Sequence, residues 1–133
     1  MSDDKRFRDR TQTIRFQASE VKKAMAGVRK AFLTVIRGGG RDLGLHVVVQ
    51  QAVILGRAPD CDLSLLDLGI SWHHARVRAG EADAWLLEDL ESTNGTRVNG
   101  TPVDQPWTLS DGDKIFLGET VVRFSLADEM DVG

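Results

Sequence analysis

Three short stretches of this 133-residue chain carry side chains suited to holding an anion. Leu55-Gly56-Arg57 supplies a permanent cation. Ile70-Ser71-Trp72-His73-His74-Ala75 supplies a short hydroxyl and an imidazole. Glu91-Ser92-Thr93-Asn94-Gly95-Thr96 supplies a second hydroxyl and a primary amide. A phosphorylated side chain carries nearly two negative charges and three strong acceptor oxygens. Arginine suits it better than lysine, because the planar fork binds two oxygens at once and keeps its charge. Ser71 and Thr93 offer further donors. The Asn94 amide both donates and accepts, so it can pair with a peptide unit of any sequence. The set is fit to hold a phosphate and the backbone beside it. Taken singly, its members read as a surface arginine, a turn serine and an Asn-Gly turn; the ordered combination is what carries the chemistry.

The elements that must position these residues are short strands. From Leu33 onward the apolar period is two. Strands are expected at Leu33–Ile36, Leu45–Val49, Val53–Leu55, Leu63–Leu65, His74–Arg78, Trp85–Leu90, Thr96–Val98, Pro102–Val103, Lys114–Leu117 and Val121–Leu126. Gly38-Gly39-Gly40 and Asp111-Gly112-Asp113 punctuate them, and Asn99-Gly100 predicts a type I′ hairpin. Many short strands without interleaved helices predict an all-β protein, an antiparallel β-sandwich of about 11 strands. Arg57 then follows a strand end, where Gly56 lets the backbone turn. His74 opens a strand, where its ring can brace the neighbouring loops.

Before the sandwich the pattern differs. Residues 1–16 read as a flexible tail. Residues 17–32 read as a short amphipathic helix, because Val21, Met25, Val28 and Phe32 recur at helical spacing. That stripe packs either on the adjacent domain or on a second copy of the chain, which would make a homodimer. The domain itself spans residues 33–126, and residues 127–133 form an acidic tail.

Charge divides the chain in the same place. Residues 1–31 hold nine Lys/Arg against four Asp/Glu, whereas residues 32–133 hold eight against sixteen. An acidic domain is a poor partner for nucleic acid, whose binding rests on neutralising phosphates. The most apolar window, Val47 to Leu55, is interrupted by Gln50-Gln51 and is too short to span a bilayer. With one cysteine, Cys61, no internal disulfide forms, which fits a cytoplasmic setting. The charged N-terminus has no apolar run behind it, so no signal peptide is expected.

No enzyme is legible. Nucleophile, base and orienter do not cluster in the text, and the triple glycine lacks the Gly-Lys-Ser/Thr of a nucleotide loop. His46, His73 and His74 have no acidic or thiol company along the chain, so neither a metal site nor a cofactor is expected.

At Gly56-Arg57, Ser71-x-x-His74 and Ser92-Thr93-Asn94-Gly95-Thr96, followed by Asn99-Gly100, the chain resembles the forkhead-associated (FHA) domain family. The resemblance runs from about Leu33 to Leu126. It implies a sandwich that binds phosphothreonine peptides at one end, downstream of Ser/Thr kinases. By resemblance, Arg57, Ser71 and Thr93 contact the phosphate, Asn94 binds the ligand main chain, and Gly56, His74 and Gly95 support the loops. It also implies a small pocket for the methyl that distinguishes phosphothreonine from phosphoserine. Trp72 departs from the family, where a polar or basic residue is usual; it either meets ligand side chains or folds back on the loops. Thr11 and Thr13, flanked by bases, are candidate phosphorylation sites, which would make the chain's own tail a ligand. Two alternatives stand beside this reading. One is the sensory part of a larger enzyme, such as a cyclic-nucleotide-synthesising one, or of a secretion assembly. The other is a phosphate-independent dimerisation module.

Overall fold

The computed structural model describes residues 30–127. The tail at 1–16 with Thr11 and Thr13, helix positions 17–29 and the acidic end at 128–133 lie outside the described residues. Eleven strands follow in order. They are β1 (Lys30–Arg37), β2 (His46–Val49), β3 (Ala52–Gly56), β4 (Leu63–Ser64), β5 (Ala75–Ala79) and β6 (Trp85–Asp89). The rest are β7 (Thr96–Val98), β8 (Thr101–Pro102), β9 (Trp107–Thr108), β10 (Lys114–Leu117) and β11 (Thr120–Ala127). One sheet has the order β2-β1-β11-β10-β7-β8 and the other β4-β3-β5-β6-β9.

The alternation read from the sequence becomes the two inner faces. Leu33, Val35, Val98, Ile115, Leu117, Val122 and Phe124 come from the first sheet, and Val53, Leu55, Ala75, Val77 and Leu87 from the second. All are buried, and successive strand residues point to opposite faces, so one sheet buries every second side chain against the other. At Asn99-Gly100 both φ angles are positive, 50° and 93°, as a type I′ turn requires.

Three expectations need correction. First, the helical reading of positions 17–32 overran: Lys30, Ala31 and Phe32 lie in β1. There Ala31 joins Leu33 and Val35 on the buried face, and β1 pairs with β2 on one side and β11 on the other. Ladder hydrogen bonds on both edges outweigh the helical spacing of Phe32. Consistently, the compact unit runs Lys30–Ala127, wider than 33–126. Second, the sandwich is not wholly antiparallel. β3 and β4 pair in parallel, Leu55 opposite Leu63 and Gly56 opposite Ser64. The Asp62 carboxylate accepts the Ile54 N–H at 2.9 Å and clips the return segment beside β3. Third, β9 was not expected; its two residues pair with β6.

Register decides where the loops meet. Leu55 lies opposite Ala75, and Ala75 opposite Asp89. The end of β3, the start of β5 and the end of β6 are therefore side by side. In the other sheet Thr96, Leu117 and Thr120 are aligned likewise. At the far end of β1, Lys30 lies opposite Ala127.

Candidate functional site

The three stretches singled out in the sequence converge at the first of these ends. Residues 57–62 leave β3, residues 65–74 lead into β5, and residues 90–95 join β6 to β7. The Arg57 N–H donates to the Ser71 carbonyl at 3.1 Å, and the Ala58 N–H to the Trp72 carbonyl at 3.0 Å. Gly56 is needed for that approach. A Cβ there would overlap the Trp72 carbonyl oxygen and lie 3.0 Å from His73 Cα. Both are backbone atoms, so a side chain would push the two loops apart.

Arg57 is aimed by two contacts. Its Nε donates to the Ile70 carbonyl at 2.6 Å. Its guanidinium carbon lies 5.8 Å from the centre of the Trp72 ring, within cation–π range. No hydrogen bond among the described residues uses the terminal nitrogens. Trp72 remains 55% exposed, so it both packs on Arg57 and presents a ring face to solvent.

His74 is fully buried and joins two loops. Its Nδ1 accepts the Ser71 N–H at 2.9 Å, which leaves Nε2 to donate to the Gly95 carbonyl at 2.8 Å. Those fixed partners select the Nε2–H tautomer. The Ser71 hydroxyl oxygen accepts the Thr93 N–H at 2.9 Å, so its proton stays available to another acceptor. The Thr93 hydroxyl has no hydrogen bond among the described residues. Asn94 uses its Nδ2 on the Gly69 carbonyl at 2.9 Å and is exposed, so its carbonyl oxygen points to no described donor. Gly95 has φ +85°, a left-handed conformation that glycine adopts at little cost.

Two carboxylates that sequence reasoning missed hold this end in shape. Asp89 Oδ1 accepts the hydroxyls of Ser92 and Thr96, each at 2.6 Å, and Oδ2 accepts the Ser92 N–H at 3.1 Å. The Ser92 oxygen in turn accepts the Gly95 N–H at 2.9 Å. Asp67 accepts the N–H groups of Gly69 and Glu119 at 2.8 and 2.7 Å, and the Thr120 hydroxyl at 3.0 Å. Asp67 thus ties the loop before β5 to the β10–β11 turn. Burial pushes both carboxyls up, but for Asp89 the Ser92 and Thr96 bonds outweigh it, and for Asp67 the Gly69, Glu119 and Thr120 bonds do. Both are held below the ordinary carboxylate value. A carboxyl lowered on folding stabilises fully above its unfolded pKa and loses that contribution as pH falls through its folded one. Denaturant unfolding at a series of pH values is expected to show stability declining below about pH 4. The gap between the parent and Asp89→Asn is expected to narrow over the same range.

The structure also gives His73 company that the chain order hid. His73 Nε2 lies 3.1 Å from Asp60 Oδ1, and Cys61 Sγ belongs to the same cluster. The expectation that no histidine has acidic or thiol neighbours is corrected on this point. His46 is exposed on β2 and is not part of the cluster.

This fold and loop-built end define a β-sandwich with a polar recognition surface. The FHA domain model matches residues 53–118. The FHA domain-containing protein FhaA of Mycobacterium tuberculosis is 44% identical over 88 residues, covering 65% of this chain and 16% of FhaA. The glycogen accumulation regulator GarA of the same species is 38% identical over 90 residues, covering 67% of this chain and 53% of GarA. The chain thus spans about half or less of these relatives' lengths. A solved FHA domain, studied for its phosphothreonine-dependent interactions, is 36% identical with a TM-score of 0.64, covering 72% of this chain and 95% of that one. The chain belongs to the FHA domain family.

Proposed function

We propose that the chain is a non-catalytic module that binds phosphothreonine peptides downstream of Ser/Thr kinases. One observation carries the reading. The framework bonds that tie these loops together leave the Arg57 terminal nitrogens, the Ser71 and Thr93 hydroxyl protons and the Asn94 carbonyl without described partners. In this reading Arg57, Ser71 and Thr93 hold the phosphate and Asn94 accepts a ligand N–H. Gly56, His74 and Gly95 keep the loops in register, and the exposed Trp72 ring meets a ligand side chain. The phosphothreonine-dependent interactions of the related solved domain support it, as does the likeness to GarA, a glycogen accumulation regulator. No described helix is long and apolar enough to cross a membrane, and a cytoplasmic setting suits the single reduced thiol.

The ligand is a phosphorylated partner protein, or the chain's own tail if a kinase modifies Thr11 or Thr13. An oriented phosphothreonine peptide library, with phosphoserine and unphosphorylated controls, tests the class. Phosphothreonine peptides are expected to bind, and their phosphoserine counterparts to lose roughly 1–3 kcal/mol, the worth of one methyl in a fitted pocket. Equal capture of unphosphorylated peptides would overturn the reading in favour of a phosphate-independent assembly module.

A further inference from the structure

Asp60 and Cys61, in the loop after β3, meet His73, which precedes β5. One ligand atom from each lies within 4.8 Å of the others. His73 Nε2 is 3.1 Å and 3.3 Å from the two Asp60 oxygens. We propose that Asp60, Cys61 and His73 form a binding site for a borderline-soft divalent cation of the zinc class.

The donor set supports that class. One sulfur, one imidazole nitrogen and one carboxylate oxygen are the ligands zinc takes, whereas calcium and magnesium take oxygen. In a tetrahedral zinc site with bonds of about 2.0–2.3 Å, neighbouring ligand atoms sit roughly 3.3–3.6 Å apart. The His73–Asp60 pair already has nearly that separation. The sulfur, within 4.8 Å of the other two donors, has to close by at most about 1–1.5 Å to reach that separation. Cys61 is buried, with its thiol donating weakly to the Trp72 carbonyl at 3.4 Å. The side chains of His73 and Asp60 are 44% and 75% exposed, so an ion can enter from the solvent side with the sulfur behind it. Binding would release the thiol proton and leave a fourth position for water.

The site would also act as a clasp. Asp60 lies three residues after Arg57, and His73 two residues after Ser71. A bound ion would fasten together the two loops that carry those residues, without touching either.

Tag-free, reduced protein titrated with Co²⁺ as a spectroscopic probe, then with Zn²⁺ by calorimetry, tests the proposal. One Co²⁺ per chain is expected, with thiolate-to-cobalt charge-transfer absorption that Zn²⁺ abolishes by displacement. The absorption is expected to vanish in Cys61→Ser. His73→Gln and Asp60→Asn are expected to weaken binding roughly 10–100-fold or more. Both alter exposed side chains, so they stay informative if Cys61→Ser fails to fold. Arg57→Ala is expected to bind the metal as the parent does. No charge-transfer band, or an affinity unchanged by His73→Gln, would mean adventitious surface binding and overturn the proposal.

Discussion

Arg57→Ala is expected to cost roughly 2–5 kcal/mol of affinity for a phosphothreonine peptide, the penalty for stripping a desolvated charge of its partner. Isothermal titration of parent and variant measures it. The residue is pre-aimed: its Nε is committed to the Ile70 carbonyl and its guanidinium carbon lies over the Trp72 ring. Little entropy is then lost when the terminal nitrogens take up two phosphate oxygens. The native domain loses one hydrogen bond and one contact with an exposed tryptophan ring, both at a half-buried side chain, so its unfolding midpoint should fall little. Arg57→Lys should fall between parent and Ala, because it keeps the charge but loses the fork. A parent-like affinity for Arg57→Ala would remove the phosphate-binding role from this residue.

The second large effect is expected at His74, with the opposite balance between stability and binding. His74→Ala should lower the unfolding free energy by roughly 3–5 kcal/mol. It opens a cavity at a fully buried position and orphans the Ser71 N–H and Gly95 carbonyl, each costing about 1–3 kcal/mol where water cannot reach. Binding should weaken too, because Ser71 and the 92–95 loop lose their shared brace. Chemical denaturation combined with titration well below the new midpoint separates the two effects. A stable His74→Ala variant with intact affinity would show that the brace is dispensable.

Much of this was readable before folding, for identifiable reasons. Period-two alternation in segments such as Val121–Leu126 reports a half-buried strand directly, and Asn99-Gly100 states its own turn. β9 and the parallel pairing of β4 were harder, since two residues have no period and a short apolar run does not state its partner. β9 exists through its pairing with Leu86 and Leu87, and β4 through the parallel clip at Asp62. Around Phe32 two periods overlap: the helical spacing continues from Val28 while Ala31, Leu33 and Val35 begin the alternation. Only the pairing partners decide between them.

The candidate site divides similarly. Arg57, Ser71, Thr93 and Asn94 were visible because phosphate chemistry asks for their functional groups. Asp89 and Asp67 act by accepting backbone N–H groups and the hydroxyls of Ser92, Thr96 and Thr120, groups common in any loop, so residue type alone did not mark them. Their spacing, Asp89 three before Ser92 and Asp67 two before Gly69, is a turn signal that names them once sought. The need for glycine at position 56 lay hidden in a carbonyl sixteen residues on, since Trp72 comes beside it only after the strands pair.

The pairing of Lys30 with Ala127 has a consequence for architecture. Entry and exit of the unit are adjacent, and they lie at the other end of β1 from the turn that Asp67 ties to the loops. Such a unit can be spliced into a host sequence at a single surface point, because neighbouring termini leave the host's own path almost uninterrupted. It can equally hang from one end as a pendant. In either arrangement the attachment lies a full strand length away, about 26 Å for eight residues, from the surface that would meet a partner.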